Sequence, residues 1–268
     1  MRQDGPLLRY AQGLNRFPYP AMCDCETARR EPPPAAGGEG ALFRTYAVPF
    51  IIFLAFNLLL WAAEGAVKWD HPNAAWWQRM PELPVYTLQV LVCAVYLWRV
   101  RRNVEWGCSA GGCLWGVLAG VVGIAVWLVP YLFGWVPREG GFMPETVFGA
   151  GSSGTCAAYA LRFVRAVLIV PFIEEFFWRG YLMRWCINRD EPQSVPLGQG
   201  SRLSYLVVTL AFMLVHNPAD YAGAFLYGSL AYLLVVRTRQ LTPVIVMHAV
   251  ANLVMGVCAI ELNLPHLW

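Results

Sequence analysis

Residues 167–183 read VLIVPFIEEFFWRGYLM, an apolar run carrying two adjacent carboxylates, Glu174 and Glu175, and one guanidinium, Arg179. The run suits a helix crossing a bilayer, for which ~20 residues span a hydrocarbon core of ~30 Å. A charged side chain at the bilayer centre costs roughly 2.5–3.5 kcal/mol on insertion scales. Three in one span therefore mark either a functional site or an ion network that joins helices.

Helix geometry separates the three. At 3.6 residues per turn, Glu175 and Arg179 share a face and can neutralise each other, whereas Glu174 is turned roughly 100° away. That leaves Glu174 as the candidate free base. Glu175 orients Arg179 or is oriented by it.

The composition agrees with a membrane setting. Of 268 residues, 57% are hydrophobic and 14% charged, against about 25% charged in soluble domains. The fold class is all-α, a polytopic transmembrane helical bundle. A net charge of +3 is modest, and no nucleic-acid partner is expected. Cys23 and Cys25 flank one aspartate without a second cysteine pair at zinc-ligand spacing, and Cys93, Cys113, Cys186 and Cys258 fall in or beside apolar spans, where cysteine acts as a small hydrophobe. Neither a disulfide framework nor structural zinc is expected.

In order, residues 1–44 read as a polar, mobile N-terminal tail, 45–158 as N-terminal transmembrane helices and 159–262 as the motif-bearing core. Seven spans are expected, near 46–66, 83–99, 111–135, 159–185, 202–218, 221–236 and 241–261, with room for a short eighth helix in 136–158. The fifth and sixth are short for a bilayer. Trp69, Trp76 and Trp77 follow the first span and suit the headgroup interface. Glycines 111, 112, 116, 120 and 123 in the third span make a ridge that lets another helix approach closely.

Basic residues set a topology. Arg99, Arg101, Arg102, Arg184, Arg189, Arg202, Arg237, Arg239 and the arginines of the tail fall on one side of a seven-span chain. Lys68, Arg79 and Arg138 fall on the other, with Arg162 and Arg165 near the start of the fourth span. The positive-inside rule then puts the N-terminus in the cytoplasm and the C-terminus outside.

Two further polar pairs lie downstream. Phe212 and His216 close the fifth span, and His248 and Asn252 sit in the seventh, each pair four residues apart and so on one helical face. Taken singly, such a histidine is more often a hydrogen-bonded structural residue or a surface one than a catalyst, and Asn252 is more often interhelical glue. Measured from its basic anchor, Glu174 lies ~15 Å deep, His216 ~21 Å and His248 ~14 Å at 1.5 Å per residue. Three helices thus bring polar groups to one layer, His216 about a turn deeper.

Glu174-Glu175-xxx-Arg179, Phe212-xxx-His216 and His248-xxx-Asn252, in this order on successive spans, resemble the three motifs of the CAAX prenyl endopeptidase type II family, which includes the bacterial immunity-type membrane proteases. The resemblance covers about residues 159–262. The first three spans and the tail also resemble an exosortase-associated, CAAX protease-related bacterial subgroup.

The resemblance implies an intramembrane endopeptidase of the bacterial inner membrane. It would act on a peptide or membrane-protein substrate, lipidated substrates included, in contact with the bilayer. Glu174 would be the general base, His216 would position the water, His248 and Asn252 would donate to the oxyanion, and Glu175 and Arg179 would support the site. No cofactor is expected. Metal-independent chemistry is favoured because HExxH is absent and the two histidines come from separate helices. The rival readings are a non-catalytic membrane scaffold of the same family and a transporter or proton relay, since midplane Glu, His and Arg also mark ion pathways.

Overall fold

The computed structural model describes residues 39–136 and 140–267. Most of the expected tail, with Cys23, Cys25 and Arg2, Arg9, Arg16, Arg29 and Arg30, and also Arg138, lies outside the described residues. Seven apolar helices run through the described part: α1 (Gly40–Ala66), α2 (Glu82–Asn103), α3 (Ala110–Leu132), α4 (Ser153–Trp185), α5 (Arg202–Leu214), α6 (Tyr221–Thr238) and α7 (Thr242–Glu261). All but α5 are long and apolar enough to cross a membrane. No strand occurs among the described residues.

Several boundaries depart from the sequence expectation, the first helix starting at Gly40 rather than 46, within the expected tail. The fourth helix starts at Ser153 rather than 159, because the Ser152 hydroxyl accepts from the Thr155 N–H at 3.1 Å and caps a helix inside a Gly/Ser-rich stretch. The remainder of 136–158 holds a single helical turn, Glu145–Phe148, instead of an eighth span. The fifth helix ends at Leu214. Its 13 residues rise only about 20 Å, so the chain turns back short of a full crossing. His216 follows directly in that turn.

The connections gather at two ends, as seven helices require. At the basic end, the N–H groups of Leu241 and Thr242 donate to the Trp106 carbonyl at 3.0 and 3.2 Å, tying the α6–α7 connection to the one before α3. There the buried Arg184 forks onto both carboxylate oxygens of Glu105 at 2.8 Å. At the opposite end, the Phe142 N–H donates to the Pro265 carbonyl at 3.2 Å and Arg79 donates to the Thr146 carbonyl at 2.6 Å.

The glycine ridge of α3 decides where α7 lies. A Cβ added at Gly116 would stand 2.3 Å from the Pro243 carbonyl oxygen, and one at Gly120 would stand 2.5 Å from that of Met247. No side chain fits in those gaps, so the two backbones touch. At Gly123 the added atom would meet the Tyr227 ring at 2.9 Å, which brings α6 under the same ridge. Gly111 faces open space and takes no part. Large apolar side chains such as Leu58, Trp61, Trp98, Trp115 and Val122 point outward. They form the surface expected to meet lipid tails.

Candidate active site

The first motif sits on a helix of changing width. In α4, π-helical stretches at Val164–Ile169 and Phe176–Leu182 flank the α-helical turns Val170–Glu175. Pro171 lies at the start of those turns. Proline lacks an N–H and clashes with the carbonyl of the preceding turn, and a wider turn relieves both. Such π-bulges recur at functional sites because they re-aim the side chains that follow.

Glu175 is fully enclosed and both of its oxygens are engaged. Oε1 accepts from His248 Nδ1 at 2.8 Å, and Oε2 lies 2.9 Å from an Arg179 terminal nitrogen. The second contact is an ion pair off the alignment of a hydrogen bond. Arg179, also with no exposed surface, reaches the Gly228 carbonyl at 3.5 Å and lies 5.3 Å above the Phe212 ring. The sequence expectation that Glu175 pairs with Arg179 holds in the geometry. Its bond to His248, which joins α4 to α7, was not legible there.

Glu174 differs from its neighbour. It is only partly enclosed, and its Oε2 is buried without a hydrogen-bond partner. Its charge acts on Arg165 within α4 and on Tyr227 of α6. It makes no hydrogen bond to either motif histidine.

His216, His248 and Asn252 share a cavity of about 210 Å³ whose wall also includes Trp127, Phe212 and Tyr227. His216 Nδ1 donates to the Phe212 carbonyl at 2.7 Å, because a carbonyl can only accept. That bond closes the last turn of α5 and leaves Nε2 as the uncommitted ring nitrogen. The Trp127 ring meets the His216 ring edge-on at 5.2 Å. His248 likewise commits Nδ1, to Glu175, and keeps Nε2. Asn252 donates one amide hydrogen to the Ala166 carbonyl at 2.7 Å, pinning α7 to the first π stretch of α4.

All three motifs therefore converge, with Glu174 standing beside the cavity rather than among the residues that line it. Among the described residues, no three His, Cys, Asp or Glu side chains lie close enough together to hold a metal ion.

Sequence reasoning missed several members of the wall. Asp220 accepts from Trp127 Nε1 at 2.8 Å and from the Tyr131 hydroxyl at 2.6 Å, bracing α3 against the α5–α6 turn. Its spacing of four from His216 was the available signal. Tyr227 gave none, being one aromatic in an apolar helix.

Residues 156–254 match the family model described as Type II CAAX prenyl endopeptidase Rce1-like. The match contains every residue of the three motifs and does not extend to the exosortase-associated subgroup. Neither the curated proteins nor the solved structures yield a match.

Proposed function

We propose that the protein is an intramembrane endopeptidase that hydrolyses a peptide bond of a membrane-embedded substrate with a glutamate-activated water. One observation carries this reading. In the segment that matches a protease family, Glu175 of the first motif holds His248 of the third at 2.8 Å, while Phe212 of the second lies beneath Arg179. Motifs far apart in sequence meet beside one cavity, the second and third lining it and the first in contact with both. That convergence is more than a set of isolated structural ion pairs needs.

The roles follow from what each group has free. Glu175 has both oxygens occupied and serves as a brace that orients His248 and Arg179. Glu174, with an oxygen lacking any partner, is the base that takes a proton from water. His216 Nε2 is an acceptor in the neutral ring and can hold that water from the cavity side. Asn252, with one amide hydrogen uncommitted, and His248, which with Nδ1 held by Glu175 can donate from Nε2 only as the imidazolium, flank the position where the carbonyl would enter. Donors aimed at a developing oxyanion commonly contribute 10²- to 10³-fold each.

In this reading the basic end is cytoplasmic, the membrane is a bacterial inner membrane, and the chemistry needs no metal. Lipidated and unlipidated peptides are both candidate substrates. The test compares wild type with Glu174→Gln, purified in detergent or liposomes, against both kinds of membrane peptide, with products identified by mass spectrometry. Cleavage that vanishes in the variant supports the assignment. Full turnover by Glu174→Gln removes Glu174 as base, and absence of cleavage by folded wild type moves the weight to a scaffold or transporter.

A further inference from the structure

The side chain left unexplained by the motifs is Tyr227 of α6. It is 3% exposed, yet its hydroxyl has no hydrogen-bond partner. A buried tyrosine hydroxyl ordinarily finds a partner, and leaving it without one costs about 1–3 kcal/mol. Trp178 and Thr209 also carry buried polar atoms without partners, but neither lines the cavity. Tyr227 does.

Its surroundings hold it in place. The ring stacks on Phe212 with centroids 6.0 Å apart, meets Trp127 edge-on at 6.0 Å and meets His248 edge-on at 5.9 Å. Gly123 of α3 supplies the gap into which the ring fits. The charges of Glu174, Glu175 and Arg179 all act on it. Tyr227 is thus rigidly held on the wall of the cavity that His216, His248 and Asn252 share, and its hydroxyl is a donor within electrostatic reach of both carboxylates.

We propose that Tyr227 is a further catalytic residue, whose hydroxyl donates a hydrogen bond to the carbonyl oxygen of the scissile bond as it becomes an oxyanion. This rests on the proteolytic reading above. Water oxygen attacks the carbonyl carbon, its proton passes to Glu174, and the carbonyl π pair moves onto oxygen, where Tyr227 meets it. On collapse the C–N bond breaks and the leaving nitrogen takes the proton from Glu174. Tyr227 keeps its own proton throughout.

The structure gives a reason for needing this donor. His248 has its Nδ1 proton turned to Glu175, so a neutral ring offers no donor at Nε2, and Asn252 spends one N–H on Ala166. A phenol offers its proton whichever tautomer His248 adopts.

Tyr227→Phe removes only the hydroxyl. On a peptide that wild type cleaves, kcat should fall about 10²-fold, with KM within a few-fold and the melting temperature unchanged or raised. Wild type should also bind a peptide with a tetrahedral hydroxyl-bearing isostere at the scissile position more tightly than Tyr227→Phe does, by up to about tenfold. The two proteins should bind the parent amide alike. Unchanged kcat, or a fall in kcat accompanied by a fall in melting temperature, overturns the assignment. Glu174→Gln run in parallel separates the failures. If it is inactive while Tyr227→Phe is fully active, only the Tyr227 role falls; if it retains turnover, the glutamate-base reading falls with it.

Discussion

Glu175 and His248, 73 positions apart in sequence, are joined by a 2.8 Å hydrogen bond from the histidine Nδ1 to a carboxylate with no exposed surface. The other oxygen of the same carboxylate is the counter-charge of Arg179. One side chain therefore fixes the orientation of a cavity histidine and neutralises a cation in the membrane interior. The consequences of changing it and of changing its neighbour should be opposite in kind.

Glu175→Gln should lower stability, by about 3–5 kcal/mol if Arg179 is left without any counter-charge and less if Glu174 swings across to replace it. Thermal unfolding in detergent measures the loss. Glu174→Gln, which breaks no hydrogen bond, should unfold close to wild type while losing hydrolysis. If the two variants prove equally stable, the brace and base roles are not divided as argued here.

The pairing of Glu175 with Arg179 was legible because both residues lie on one helix, where a spacing of four fixes the geometry. So was the glycine ridge of α3, whose function needs only close approach. The bond to His248 was not, since no periodicity states which face of one helix meets which face of another. Tyr227 was invisible for a related reason. An aromatic in an apolar span looks like packing until its hydroxyl is found without a partner. The extent of α4 was misread because Gly and Ser signal loops, and only the cap at Ser152 shows that here they start a helix.

Gly120→Val should impair both folding and activity. A Cβ at this site collides with the Met247 carbonyl, which is backbone and cannot rotate away, so α7 must shift and carry His248 with it. Gly111→Ala, where an added Cβ meets open space, is the control and should be neutral or slightly stabilising. Melting temperature and turnover of the two variants decide the matter. Equal behaviour would show that the ridge does not position the site.

Gln89 is the corresponding brace among α1, α2 and α4. With 1% of its surface exposed, it donates to the Phe53 carbonyl and to Asn57 at 3.0 Å and accepts from Arg165 at 2.6 Å. Gln89→Leu keeps the volume but strands those groups, and should destabilise by about 1–3 kcal/mol per group left without a partner. Chemical denaturation in mixed micelles should show the change. A variant as stable as wild type would mean that water or lipid headgroups replace the lost bonds.

Chelators should leave cleavage intact. His216 and His248 each spend one ring nitrogen on the protein, and in the proposed mechanism their other nitrogens serve water and substrate. Incubation with a strong divalent chelator followed by the peptide assay tests this. Activity lost on chelation and restored by one metal would reassign both histidines as ligands.

Asn252 separates two roles that the structure superimposes. One amide hydrogen holds the Ala166 carbonyl at 2.7 Å, while the residue also lines the cavity. Asn252→Ala should therefore reduce stability by about 1 kcal/mol, the worth of one net hydrogen bond, and should also lower kcat if the second amide hydrogen meets the oxyanion. Asn252→Asp, similar in shape, retains acceptor oxygens but in its charged form has no hydrogen to donate, and it sets like partial charges against Ala166. It should unfold more readily than the alanine variant. A full loss of kcat in Asn252→Ala with an unchanged melting temperature would make the residue wholly catalytic, and a loss of stability with unchanged kcat would reduce it to a tie between α7 and α4.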